Sequence, residues 1–117
     1  MSINTQTSYG KINITQDLVA QIAGLALSEC YGIVGMTSKN FFKDKYLEIL
    51  KKENLTKGVE VFTKKGITLN LYVVLLYGVK ISEVLLEAQK RVKYELEKQL
   101  SITIDEINIY AQGVKKV

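Results

Sequence analysis

Residues 67–78 read ITLNLYVVLLYG. Ile67, Leu69, Leu71, Val73 and Leu75 alternate with Thr68, Asn70, Tyr72, Val74 and Leu76. A period of two places the first set on one face of a β-strand. Burying five such side chains contributes about 10 kcal/mol before conformational entropy is counted, at about 2 kcal/mol each. No other segment brings as much apolar surface into strand register. The second face starts polar and turns apolar towards Leu76, so the C-terminal end of this strand is expected to be covered on both sides.

The chain around it has the composition of one small globular domain. It is 117 residues long, 47% hydrophobic and 24% charged, enough for a single core. No apolar run approaches the ~20 residues of a membrane-spanning helix. Residues 1–9 are polar and lack the basic and apolar stretches of a signal peptide, so a cytoplasmic location is expected. The single Cys30 excludes an intramolecular disulfide and agrees with a reducing compartment.

The formal charge of +4 is unevenly placed. Between residues 39 and 65, eight lysines face only Asp44, Glu48, Glu53 and Glu60, and the rest of the chain is balanced. A basic excess suits nucleic acid or anionic lipid, and Lys43, Lys51, Lys52, Lys64 and Lys65 are the candidate anion contacts. Mixed signs at helical spacing also describe an ordinary solvated face.

In chain order, residues 1–8 read as a flexible tail. Residues 9–14 form a short strand with Ile12 and Ile14 on one side. Thr15 caps a helix over about 16–29, with Asp17 offsetting its dipole. Leu18, Ile22, Leu25, Ala26 and Glu29 mark its repeat, with Val19, Ala23 and Cys30 beside the stripe. Gly32 stops it, and 33–36 make a strand. A second helix is expected over 40–53, with Phe42, Tyr46, Ile49 and Leu50 as its stripe. The strand at 58–63 points Val59 and Val61 inward. Lys64-Lys65-Gly66 then turns tightly into the opening stretch, making the two strands antiparallel neighbours. Ser82 caps a long helix to Leu100, with Ile81, Leu85, Ala88, Val92 and Leu96 on its apolar side. A last strand over 106–111 points Ile107, Ile109 and Ala111 inward.

The predicted order is β-α-β-α-β-β-α-β. It implies an α+β two-layer sandwich, helices on a mostly antiparallel or mixed sheet. One domain is expected over 9–114, with a basic end at 115–117.

Chemistry is sparse. With no His, the commonest general base and metal ligand is missing. Cys30 ends an apolar helix and reads as a buried thiol. No acidic group recurs at metal-ligand spacing, and no phosphate-binding or nucleophile-elbow motif occurs. These features predict a protein that is not an enzyme and uses no cofactor. Gly32-Ile33-Val34-Gly35 matches the G-x-x-G string of KH-type RNA-binding modules. Its middle residues are apolar and it separates a helix from a strand, which suits a helix stop better. Tyr72 and Tyr110 stand where aromatic stacking on a base is conceivable. Tyr72, Val74 and Leu76 also compose an apolar surface for a protein partner or for self-association, unless the second helix covers it.

Several strings together identify a relationship. They are Tyr9-Gly10-Lys11-Ile12, Leu18-Val19-Ala20-Gln21-Ile22-Ala23, and Glu29-Cys30-Tyr31-Gly32-Ile33-Val34-Gly35-Met36. Lys57-Gly58-Val59, Tyr77-Gly78-Val79-Lys80-Ile81 and Ile107-Asn108-Ile109-Tyr110-Ala111-Gln112-Gly113-Val114 complete the series. In this order and spacing the chain resembles the alkaline shock protein family, in its short single-domain form. The resemblance implies a role in cell-envelope or alkaline stress and attachment to the membrane through protein partners. It implies no catalytic residues. One departure is Ser101, where the family pattern has Gly at the end of the long helix. The expected function is therefore a non-enzymatic binding or scaffold protein, with a nucleic-acid-binding module built on residues 39–65 as the alternative.

Overall fold

Alternating apolar residues and well-placed turn signals become eight elements in a computed structural model that describes residues 2–38, 49 and 57–116. They are β1 (Ser2–Thr7), β2 (Gly10–Thr15), α1 (Gln16–Ser28), β3 (Ile33–Met36), β4 (Val59–Phe62), β5 (Thr68–Leu76), α2 (Ile81–Leu100) and β6 (Glu106–Lys115). The chain is α+β, as its pattern predicts.

The opening stretch is the central strand. β5 pairs antiparallel with β3 through Val73–Leu75 and with β4 through Thr68–Leu71. β6 runs parallel along its whole length. A strand has two edges, so β3 and β4 lie end to end along one edge of β5, and β6 takes the other. The antiparallel β4–β5 neighbours are the predicted hairpin. Parallel β5 and β6 need a crossover, which α2 supplies. Leu69, Leu71, Val73 and Leu75 are fully buried on the odd-numbered face. Ala88, Val92 and Leu96 of α2 and Val19, Ala23 and Leu27 of α1 share the core with the first three of them.

The turn into β5 depends on Gly66. Its φ is +91°, and a Cβ there would lie 2.1 Å from an Asp105 carboxylate oxygen. That oxygen accepts from the Ile67 amide at 2.7 Å, tying the start of β5 to the start of β6.

Several expectations are corrected. Residues 2–7 are not a loose tail: they form β1, antiparallel to β2, with Ile3 opposite Ile14 and both buried. Thr15 does cap α1, accepting from the Leu18 amide at 3.2 Å. The helix is turned differently from the expected stripe, however. Ile22 and Ala26 of the expected stripe are buried, as are Val19 and Ala23 beside it and also Ala20 and Leu27, while Leu18 and Leu25 are exposed. This helix packs on α2 as well as on the sheet, and its small alanines permit the close approach. The long helix starts two residues early, with Lys80 as its N-cap and no side-chain capping bond, so Ser82 is not the cap.

β6 continues to Lys115, and Ala111 is exposed instead of inward. Pairing between β5 and β6 slips by one residue between Val73–Ala111 and Val74–Gly113. A one-residue bulge resets the alternation of every side chain beyond it. The expected helix over 40–53 lies outside the described residues except at Ile49.

Candidate functional site

The even-numbered face of β5 is a cross-strand ladder of polar and aromatic groups. Glu60, Asn70 and Asn108 stand side by side on β4, β5 and β6, and Tyr72 stands beside Tyr110. The Tyr72 hydroxyl donates to Glu60 Oε1 at 2.6 Å. Asn70 Nδ2 donates to the same oxygen at 3.3 Å, and Asn108 Nδ2 donates to Asn70 Oδ1 at 3.0 Å. The Tyr72 and Tyr110 rings stack with centroids 5.1 Å apart and planes 16° from parallel. Burial, together with the bond to the Glu60 carboxylate, pushes the Tyr72 phenol well above its ordinary pKa.

Of the three residues expected to form an open partner surface, Tyr72 is 7% and Val74 0% exposed. Val74 pairs with Gly35 of β3. A Cβ on Gly35 would come within 2.7 Å of Ile49 Cγ2, so Ile49 lies directly over the strand at this point. Leu76 alone of the three is half-buried and not buried. The expected anion contacts Lys64 and Lys65 are exposed in the β4–β5 turn. Lys43, Lys51 and Lys52 lie outside the described residues. The G-x-x-G string is no loop: Gly32 is a buried turn residue at φ +91°, against Val84 of α2, and Gly35 lies within β3.

Leu76 leads into a groove at the end of the sheet. A hollow of about 450 Å³ is lined by Tyr31, Leu76, Tyr77, Lys80, Glu83 and Val84, among others. It adjoins a second, of about 390 Å³, through Tyr31, Glu83 and Val84. The second reaches Glu29, Cys30, Glu87 and Arg91. Tyr31 is 81% and Tyr77 63% exposed on the rim. Lys116 Nζ sits 5.9 Å from the Tyr77 ring centre, a weak cation–π contact. Arg91 pairs with Glu29 and approaches Glu95 at 3.8 Å, joining the end of α1 to α2. The Cys30 thiol donates to the Ala26 carbonyl at 3.4 Å. Burial raises its pKa, with Arg91 pulling the other way, so the thiol stays protonated and poorly nucleophilic near neutral pH.

Residue-by-residue reading of the sequence missed this groove, although a signal was present. The dipeptide Tyr-Gly occurs at 9–10, 31–32 and 77–78. In each case the glycine has positive φ and the tyrosine is exposed. A backbone reversal that only glycine tolerates throws the preceding side chain outward. Two of these three turns meet at the groove.

Residues 4–116 match the family model for the alkaline shock protein 23 family, described as having a cell envelope-related function. The chain belongs to this family. Its relatives include the uncharacterized protein YloU of Bacillus subtilis, 46% identical over 98% of this chain and 97% of that one. The uncharacterized protein Spy1614 of Streptococcus pyogenes is 44% identical over 100% of this chain and 98% of that one. A second Bacillus subtilis relative, YqhY, is 34% identical over 93% of this chain and 80% of that one. No solved structure matches the chain. Among the described residues, no helix is long and apolar enough to cross a membrane.

Proposed function

We propose that this protein is a non-enzymatic binding or scaffold protein of the envelope stress response, acting through protein–protein contacts at the groove between Tyr31 and Tyr77. The observation that carries this reading is the pair of exposed tyrosines flanking Leu76 at one end of the sheet. Tyrosine offers a large rigid ring and a hydroxyl at low entropic cost, which is why it is enriched at interface centres. The surrounding charges offset one another: Glu29 with Arg91, and Glu83 with Lys80 at 4.0 Å. The groove therefore favours a partner through ring contacts and apolar surface more than through net charge. Attachment to the membrane, on this reading, comes through such a partner.

Cross-linking in the native host tests it. The double variant Tyr31→Ser, Tyr77→Ser is expected to lose captured proteins while keeping the parent circular dichroism and Tm. Unchanged capture overturns the groove as the contact surface. Filter binding at low salt is expected to retain no RNA or DNA. Retention that falls steeply with salt would favour the nucleic-acid alternative instead.

A further inference from the structure

β6 is a border strand of ten residues, Glu106–Lys115. One edge is paired with β5. Among the described residues, no strand pairs with the other edge. Such edges are templates for another strand, and proteins commonly blunt them with proline, central charges or bulges. Here there is no proline, and no charged side chain stands between Glu106 and Lys115. One carbonyl, that of Ile107, accepts from Gln89 Nε2 at 2.9 Å. The bulge falls late, after Ala111, leaving a regular stretch from Ile107 to Ala111. Tyr110 is 45% exposed on this stretch although its ring stacks on Tyr72.

The charges at the two ends of β6 choose the occupant. Asp105 and Glu106 stand at its start, Lys115 and Lys116 at its end. A second copy added antiparallel lays the acidic start of each strand alongside the basic end of the other. A parallel copy would set like charges together. Antiparallel addition about a two-fold axis is also self-complementary and closes after two copies. We infer that a second copy of this chain pairs antiparallel along the edge of β6 that no described strand occupies, joining the two sheets into one and covering the exposed part of Tyr110. This interface is centred on Tyr110 and Ala111 and meets the Tyr31–Tyr77 groove only at its end, where the Lys115 carbonyl accepts from the Tyr77 amide and Lys116 lies over the Tyr77 ring.

Analytical ultracentrifugation of the full chain over a range of concentrations tests the inference. The parent is expected to be a reversible dimer. Ala111→Lys, at an exposed position in the strand, is expected to weaken dimerisation about tenfold or more, because it sets an unpaired charge against Tyr110 of the second copy at the centre of the paired edge. Glu106→Lys and Lys115→Glu are each expected to weaken it, and the double reversal to restore it. Circular dichroism and Tm close to the parent's show that each variant folds. Amide exchange in Ile107–Ala111 is expected to slow as the parent dimerises. A parent that stays monomeric to about 1 mM overturns the inference. So does a dimer indifferent to Ala111→Lys and to the charge reversals.

Discussion

Ser101 ends α2 with φ 54° and ψ 43°, the left-handed conformation that glycine adopts freely and other residues adopt at a cost. The family resemblance implies Gly here, so the expected departure in sequence and the strained backbone coincide. Ser101→Gly is expected to stabilise the protein by about 1 kcal/mol, raising Tm by roughly 4 °C. Differential scanning calorimetry reads the change. Tyr72 carries a second expectation at this scale. Its phenol ionises less readily in the folded state than its ordinary value of 10.0. The unfolded chain therefore gives up that proton first as pH rises, so the stability linked to this group is present below about pH 10 and is lost above it. Tyr72→Phe removes the hydroxyl donated to Glu60 and is expected to cost about 1 kcal/mol at neutral pH. Its stability should fall less steeply than the parent's between pH 9 and 11, as urea unfolding measures.

Elements differ in how visibly they are written. β5 was legible because its odd positions are uniformly apolar and its even positions graded. The β4–β5 hairpin was legible from Lys64-Lys65-Gly66, and the start of α1 from Thr15. β1 was not: Ser2–Thr7 holds one apolar residue, Ile3. Its strand exists because β2 offers an edge and Ile3 covers Ile14, a tertiary effect with no local period. Ile3→Ala is expected to cost about 2 kcal/mol or more in urea unfolding, the range for a buried aliphatic truncation. Thr5→Ala, at an exposed position on the same strand, should cost little. A loose tail would leave both unchanged. The α1 stripe was misread for a related reason. Leu18 and Leu25 are larger than the alanines that are buried, so hydrophobicity drew the stripe partly off the buried face that Ile22 and Ala26 do share. Close packing on α2 and the sheet selected the small residues instead. Ala111 keeps register with the buried Val73, ahead of the bulge, yet stands on the border strand and is exposed; alternation alone does not tell a border strand from a central one.

At the scale of the whole molecule, the face expected to meet a partner is largely internal. The sequence showed correctly that β5 is apolar on both sides near its end. It did not show that Ile49 lies over Gly35 and Val74, or that Glu60 and Tyr110 close around Tyr72. What remains accessible is the end of the sheet, where Leu76 opens into the groove between Tyr31 and Tyr77. That site is assembled from two turns 46 positions apart in the chain, so only the fold brings it together. A photo-reactive amino acid placed singly at position 31 or 77, in cells of the native host, tests this surface most directly. Position 94 is the control, since Tyr94 is exposed on α2 and does not line the groove. The expected result is the same discrete protein adduct from positions 31 and 77 and none from 94. Equal adducts at all three positions, or none at 31 and 77, would contradict the groove as the functional surface.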